Sequence, residues 1–141
     1  MNRLSVPLAW VALLGLGGVL AADEMQLTHM VFFTLAEDTP EHRAQLVAAC
    51  KKHLSRHEGT VYFSAGSIAD DLRREVNDLD FDVALHLVFA NKQAHDEYQT
   101  HPRHLQFITE NKQLWSRVRV FDSYVIAPPT RRRLEEAVDD R

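Results

Sequence analysis

Leu27-Thr28-His29-Met30-Val31-Phe32-Phe33-Thr34-Leu35 is the stretch on which the fold of this chain turns. Read with a period of two, it puts His29, Val31, Phe33 and Leu35 on one face and Met30, Phe32 and Thr34 on the other. Side chains of a strand point alternately to its two faces, so apolar residues on both predict a strand covered on both sides. Downstream, Thr39-Pro40-Glu41 is a helix start: a hydroxyl for the free N–H groups, a proline at the first helical position and an acid in the first turn. That helix is predicted to run to about Glu58. Leu46, Ala49, Cys50 and Leu54 form its apolar stripe, and Gly59 takes the left-handed position that closes it. Thr60 to Ile68 predicts a second strand interrupted at Gly66, and Ala69 to Asp80 a polar loop. Phe81 to Phe89 predicts a third strand, with Val83, Leu85, Leu87 and Phe89 on one face. Asn91 can cap a helix from Lys92, which Pro102 must break or kink because it lacks an N–H and crowds the preceding turn. Arg103 to Trp115 follows as a second helical segment, with His104, Leu105, Ile108 and Trp115 on one side, and Arg117 to Ile126 is the last strand.

The order β-α-β-β-α-β predicts an α+β fold of the ferredoxin-like kind, four antiparallel strands with helices on one face. In a monomer the other face would be polar. Here Met30, Phe32, Ala84, Val88, Phe121 and Val125 alternate onto it, with His86, Asp82, Arg119 and Ser123 as the polar minority. An apolar patch of that extent predicts a partner, and a two-fold homodimer packed sheet against sheet would cover it.

The rest of the composition bounds the class. The chain has 141 residues, enough for one domain of ordinary size. With 16 basic and 20 acidic side chains it lacks the basic surface that a nucleic-acid partner needs. A single cysteine excludes an internal disulfide and a Cys-based zinc cluster, and Cys50 is expected to be buried in its helix. Residues 1–22 read as a signal peptide: Arg3, then a charge-free block from Val6 to Ala22 ending in small residues before Asp23-Glu24. Cleavage near Ala21 or Ala22 would release an exported protein with no membrane association. Residues 23–126 are the domain, and 127–141 a charged tail with too little apolar content to order itself.

His29-Met30-Val31-Phe32-Phe33, Gly66, the start Phe81-Asp82-Val83-Ala84-Leu85 and the close Val118-Arg119-Val120-Phe121-Asp122 together resemble the stress-responsive A/B barrel domain. The most specific piece is Tyr98-Gln99-Thr100-His101-Pro102-Arg103-His104. The resemblance covers Leu27 to Ile126. It departs at Glu58-Gly59, where the family often has Pro-Gly. It implies a homodimeric α+β barrel. Most such proteins have no assigned reaction, and some are linked only to stress responses. A plant relative is a polyketide cyclase that carries out an intramolecular aldol condensation without metal or cofactor. By match to its segment, Tyr98 and His104 would line a pocket, and the first-strand His29 would face it. A further pocket histidine of that cyclase falls at about Val83 and is absent here, so the set is incomplete.

The eight histidines divide on this basis. His104 and His29 are the candidates for chemistry, because an imidazole moves protons near neutrality, as enolisation beside a carbonyl requires. Tyr98 can donate a hydrogen bond to the developing enolate oxygen, or simply pack against the Pro102 kink. His42, His53, His57 and His95 stand among charged residues and are expected in solvent; His86 belongs to the dimer interior, and His101 caps the helix after it. A metal would need His101 and His104 with His95 or His29. Pro102 disturbs their register, no carboxylate sits at a matching spacing, and no haem attachment motif occurs, so no metal or cofactor is assigned. Three readings of function stand: an exported binder of a small hydrophobic or carbonyl-containing molecule with cofactor-free lyase or cyclase chemistry, a non-catalytic dimeric stress-response module, and a metal- or haem-dependent barrel enzyme. A cavity lined jointly by His29, Tyr98 and His104 would favour the first over the second.

Overall fold

The structure is a computed structural model that describes residues 25–126. The expected signal segment 1–22 and the tail 127–141 lie outside the described residues. Strand β1 (Gln26–Leu35) occupies the centre of a four-stranded antiparallel sheet. Its neighbours are β3 (Val83–Phe89) on one side and β4 (Trp115–Val125) on the other, and β2 (Thr60–Ser67) pairs with β3 at the edge, giving the order β2-β3-β1-β4. The helices α1 (Pro40–Leu54), α2 (Lys92–Thr100) and α3 (Pro102–Asn111) cover one face. This is the ferredoxin-like α+β arrangement. Val31, Phe33, Leu85, Leu87, Phe89, Leu46 and Leu54 are buried between the two layers. Cys50 lies fully buried among them, and burial pushes its thiol up to about 12, which keeps it protonated and unreactive.

Local signals set most element ends. Thr39 Oγ1 accepts from the His42 N–H at 3.2 Å and Asn91 Oδ1 from the Ala94 N–H at 2.9 Å, so both helix starts are capped as predicted. Pro102 divides the second helical region completely. His101 is extended there, with φ −65° and ψ 137°, ends α2 and starts α3, and its Nδ1 accepts from the Arg103 N–H at 3.1 Å. Arg103 in turn donates to the carbonyls of Lys52 and Ser55 at 3.0 and 2.9 Å, satisfying groups that the end of α1 leaves free.

Several expectations need correction. Helix α1 stops at Leu54 rather than near Glu58, because Ser55 turns extended and Arg56 enters the left-handed region with φ 60°. Gly59, φ 75°, closes the turn into β2 instead, and a Cβ on it would meet the Ala94 Cβ at 2.4 Å. Gly66 does not interrupt β2; it pairs with Ala84, and the irregularity lies between Thr60 and Tyr62. Asp82 precedes β3 and leaves the open face: its carboxylate accepts from the Leu35 N–H at 2.8 Å and meets Arg43 of α1. In α3 the buried residues are Phe107 and Asn111, whereas Leu105 is half exposed, since the helix restarts its register at Pro102. His53 and His57 are buried rather than solvated. The His57 Nε2–H donates to the His53 carbonyl at 2.9 Å, and His53 meets Glu110 at 3.2 Å.

The face without helices is apolar, as the alternation predicted. Met30 stands opposite both His86 and Phe121, and Phe32 opposite Ala84 and Arg119. The Phe32 ring meets Phe81, Phe121 and His86 edge-on at centroid distances of 4.9, 5.7 and 6.0 Å. Phe121 is 49% exposed in the single chain.

Candidate active site

Helices α2 and α3 leave Val118 and Val120 of β4 partly exposed, and the gap forms a cavity of about 520 Å³ against the β1–β4 side of the sheet. Its wall is apolar, built by Val31, Phe33, Leu85, Phe107, Trp115 and Val120. The Phe107 and Trp115 rings stack there at 5.6 Å and 23°. One end is polar and gathers His29, His95, Tyr98, Gln99, His104 and Asp122. A mostly apolar cleft with a few converging polar groups is the usual form of a small-molecule site.

His29 reaches this end from β1 and is 5% exposed. The β1–β4 register sets it opposite Asp122, and its Nδ1 lies 2.7 Å from Asp122 Oδ1. Burial lowers the His29 pKa, against the opposing pull of the carboxylate. The neutral ring therefore donates Nδ1–H to Asp122 and keeps its lone pair on Nε2. His104 comes from the first turn of α3. Its Nδ1–H donates to the Gln99 carbonyl at 3.0 Å, which again leaves Nε2 as the basic nitrogen. Burial lowers its pKa too, and the neighbouring His29 and His95 add to the effect.

Tyr98 comes from the last turn of α2 and is 2% exposed. Burial raises its phenol well above the ordinary value, so it stays a proton-bearing donor. Its ring meets His104 at 4.6 Å, His57 at 4.9 Å, Phe89 at 5.0 Å and His29 at 5.9 Å. This packing and the polar position coexist, so the two roles weighed for Tyr98 are not exclusive. No hydrogen bond holds the hydroxyl among the described residues, which leaves it available to a ligand.

Of the expected residues, His29, Tyr98 and His104 share the cavity, whereas His101 does not line it and instead caps α3 beside His57. His95 corrects a further expectation. It is not solvated; its ring lies 5.2 Å from His29, with Nδ1 3.2 Å from Asp96 Oδ1 and Nε2 3.1 Å from the Gln99 amide. Asp122 and Gln99 were not singled out either. The i, i+3 spacing of His95 and Tyr98 signals their shared helix face. Asp122 alternates with Val118 and Val120 onto the helix-covered face. The carboxylate that no local spacing offered to a metal is therefore present, delivered from across the sheet.

This arrangement gives two neutral imidazoles, each with Nδ1 anchored and Nε2 basic, beside one phenol donor. It can take a proton from a carbon or hydroxyl and hydrogen-bond the oxygen on which charge develops.

Comparison with known proteins agrees with this fold. Among solved structures, a dimeric ferredoxin-like protein of unknown function from Thermobifida fusca superposes with a TM-score of 0.61 at 16% identity, covering 75% of this chain and 96% of that one. A Dabb family protein with a ferredoxin-like fold from Mesorhizobium loti gives 0.59 at 22% identity, covering 73% and 99%. A hydroxynitrile lyase from Passiflora edulis gives 0.59 at 17% identity, covering 74% and 97%. Identities this low carry the fold alone. No curated protein sequence matches the chain. Residues 27–125 match the stress responsive A/B barrel domain, Dabb, over the whole of the sheet and its helices, and the chain belongs to that family.

Proposed function

We propose that this is an exported, homodimeric protein that binds a small hydrophobic or carbonyl-containing molecule and acts on it by cofactor-free acid–base chemistry of the lyase or cyclase type. The observation that carries the reading is the convergence of His29, Tyr98 and His104 on one cavity with an apolar wall. His104 Nε2 takes a proton from the carbon beside a carbonyl, or from a hydroxyl. Tyr98 donates to the oxygen that gains charge. The protonated His104 then returns the proton, while His29, held by Asp122, orients the substrate through its basic Nε2. A similarly folded protein is by name a lyase, which supports this class of reaction without fixing the substrate.

Homodimerisation is supported by the Met30, Phe32 and Phe121 face and by similarly folded proteins described as dimeric. Export rests on residues 1–22, and the mass of the protein recovered from its host tests it. Proton abstraction is tested by exchange of the methyl protons of acetophenone, an aryl ketone, in D₂O followed by NMR. The chain should accelerate exchange, and His104→Ala should remove the acceleration while leaving the melting temperature unchanged. A positioned acid–base group contributes about 10²- to 10⁴-fold. Equal rates for the two proteins would favour the non-catalytic module.

A further inference from the structure

We propose that His29, His95 and Asp122 form a binding site for a divalent transition-metal ion of the zinc type at the polar end of the cavity. This goes beyond the acid–base reading: it uses the same cavity but none of that chemistry. One ligand atom from each of the three side chains lies within 4.8 Å of the others, and His29 Nδ1 is 2.7 Å from Asp122 Oδ1. A tetrahedral ion with bonds of about 2.0–2.1 Å sets its ligands about 3.3 Å apart. The separations of 2.7 Å and up to 4.8 Å bracket that value.

Three elements supply the three ligands. The pairing of β1 with β4 holds His29 opposite Asp122, and α2 brings His95 over them. Two imidazoles and one carboxylate suit Zn²⁺, Co²⁺ or Fe²⁺ rather than Ca²⁺ or Mg²⁺, which prefer all-oxygen sites. The second ring nitrogen of His95 is already held: Nδ1 lies 3.2 Å from Asp96 Oδ1. A carboxylate behind a ligating histidine fixes its tautomer and orientation in metal sites generally. The Gln99 amide, 3.1 Å from His95 Nε2, is the group an incoming ion displaces. Three protein ligands leave a fourth position for water or for the oxygen of a bound molecule. Ligation through Nδ1 displaces the proton that His29 donates to Asp122 onto Nε2, so the metal-loaded and metal-free forms differ in chemistry.

The test is titration of the chelator-treated full chain with Co²⁺. One Co²⁺ per chain should bind with visible d–d absorption, and Zn²⁺ should bleach it. Asp122→Asn, a change of an exposed carboxylate to its neutral isostere, should abolish the absorption, as should His95→Ala. His57→Ala, outside the cavity, should leave it intact. Melting curves show whether each variant is folded. Absorption by wild type no greater than by folded Asp122→Asn would overturn the proposal. The readout involves no ketone and no turnover, so its failure leaves the exchange experiment untouched, and the reverse holds as well.

Discussion

Both faces of the sheet carry apolar side chains and put them to different uses. On the helix side, Val31, Phe33, Leu85 and Leu87 are sealed by α1, α2 and α3, and the incomplete cover over β4 leaves a cavity with titratable groups at one end. On the other side, Met30, Phe32, Ala84 and Phe121 form an apolar surface whose imidazole, His86, meets the Phe32 ring at 6.0 Å and Ser64 Oγ at 3.3 Å, and a hollow of about 270 Å³ lies among Phe32, Phe81 and Phe121. Hydrophobicity alone therefore does not distinguish a site from an interface. Converging titratable groups mark the first, and an exposed apolar surface with few of them marks the second.

The largest expected effect strikes the face without helices. Phe121→Asp puts a charge into a contact that dimerisation would dry, and an unpaired buried charge costs about 3–5 kcal/mol. Light scattering should show a folded monomer. A dimer that survives the change would mean that this face is not the interface, and the contrast between the faces would lose its meaning.

Next in size is a change on the helix side. Gly59→Ala adds a Cβ 2.4 Å from that of Ala94 at φ 75°, where an L side chain is strained. A loss of about 1–3 kcal/mol is expected from overpacking, read as a lower melting temperature. Ala94→Gly in the same chain should recover the steric part and leave the strain.

Acid should weaken the helix side selectively. Burial lowers the His57 pKa, as it does for His104. The unfolded chain then binds protons below the ordinary value of about 6.5 while the folded chain does not, so stability falls as pH drops from there toward the folded pKa values. His57→Gln should flatten the pH dependence of the melting temperature between those limits. An unchanged slope would show that His57 takes up its proton without cost. The smallest effect is expected at Thr39→Ala, which removes the cap of α1 and should cost about 1 kcal/mol in chemical denaturation.

How far these features were legible from the chain differs by residue. The alternation in Leu27–Leu35 was enough to predict a strand with an apolar side chain on each face, but its place inside the order β2-β3-β1-β4 depends on lateral pairing, which the alternation does not specify. Asn91, Pro102 and His101 announced the break between α2 and α3, since caps and prolines act through their own backbone. The end of α1 was not legible, because it depends on Arg56 taking a positive φ that its residue type does not favour. The burial of His53 was recoverable from its i+3 spacing to Cys50 but was masked by Lys51, Lys52 and Arg56 around it. The site was half legible. Tyr98 and His104 lie within one short segment, and His29 shares a strand face with apolar residues. The His29–Asp122 contact joins residues 93 apart and depends on strand register, which a local pattern does not specify.

Proton exchange from acetophenone in D₂O by wild type and His104→Ala, each shown by its melting curve to be folded, tests the central claim most directly. The account predicts acceleration by wild type that persists to a pH beneath the ordinary imidazole range before falling away, because burial lowers the His104 pKa, and its loss in the variant. Equal exchange by the two proteins across the pH range would contradict it.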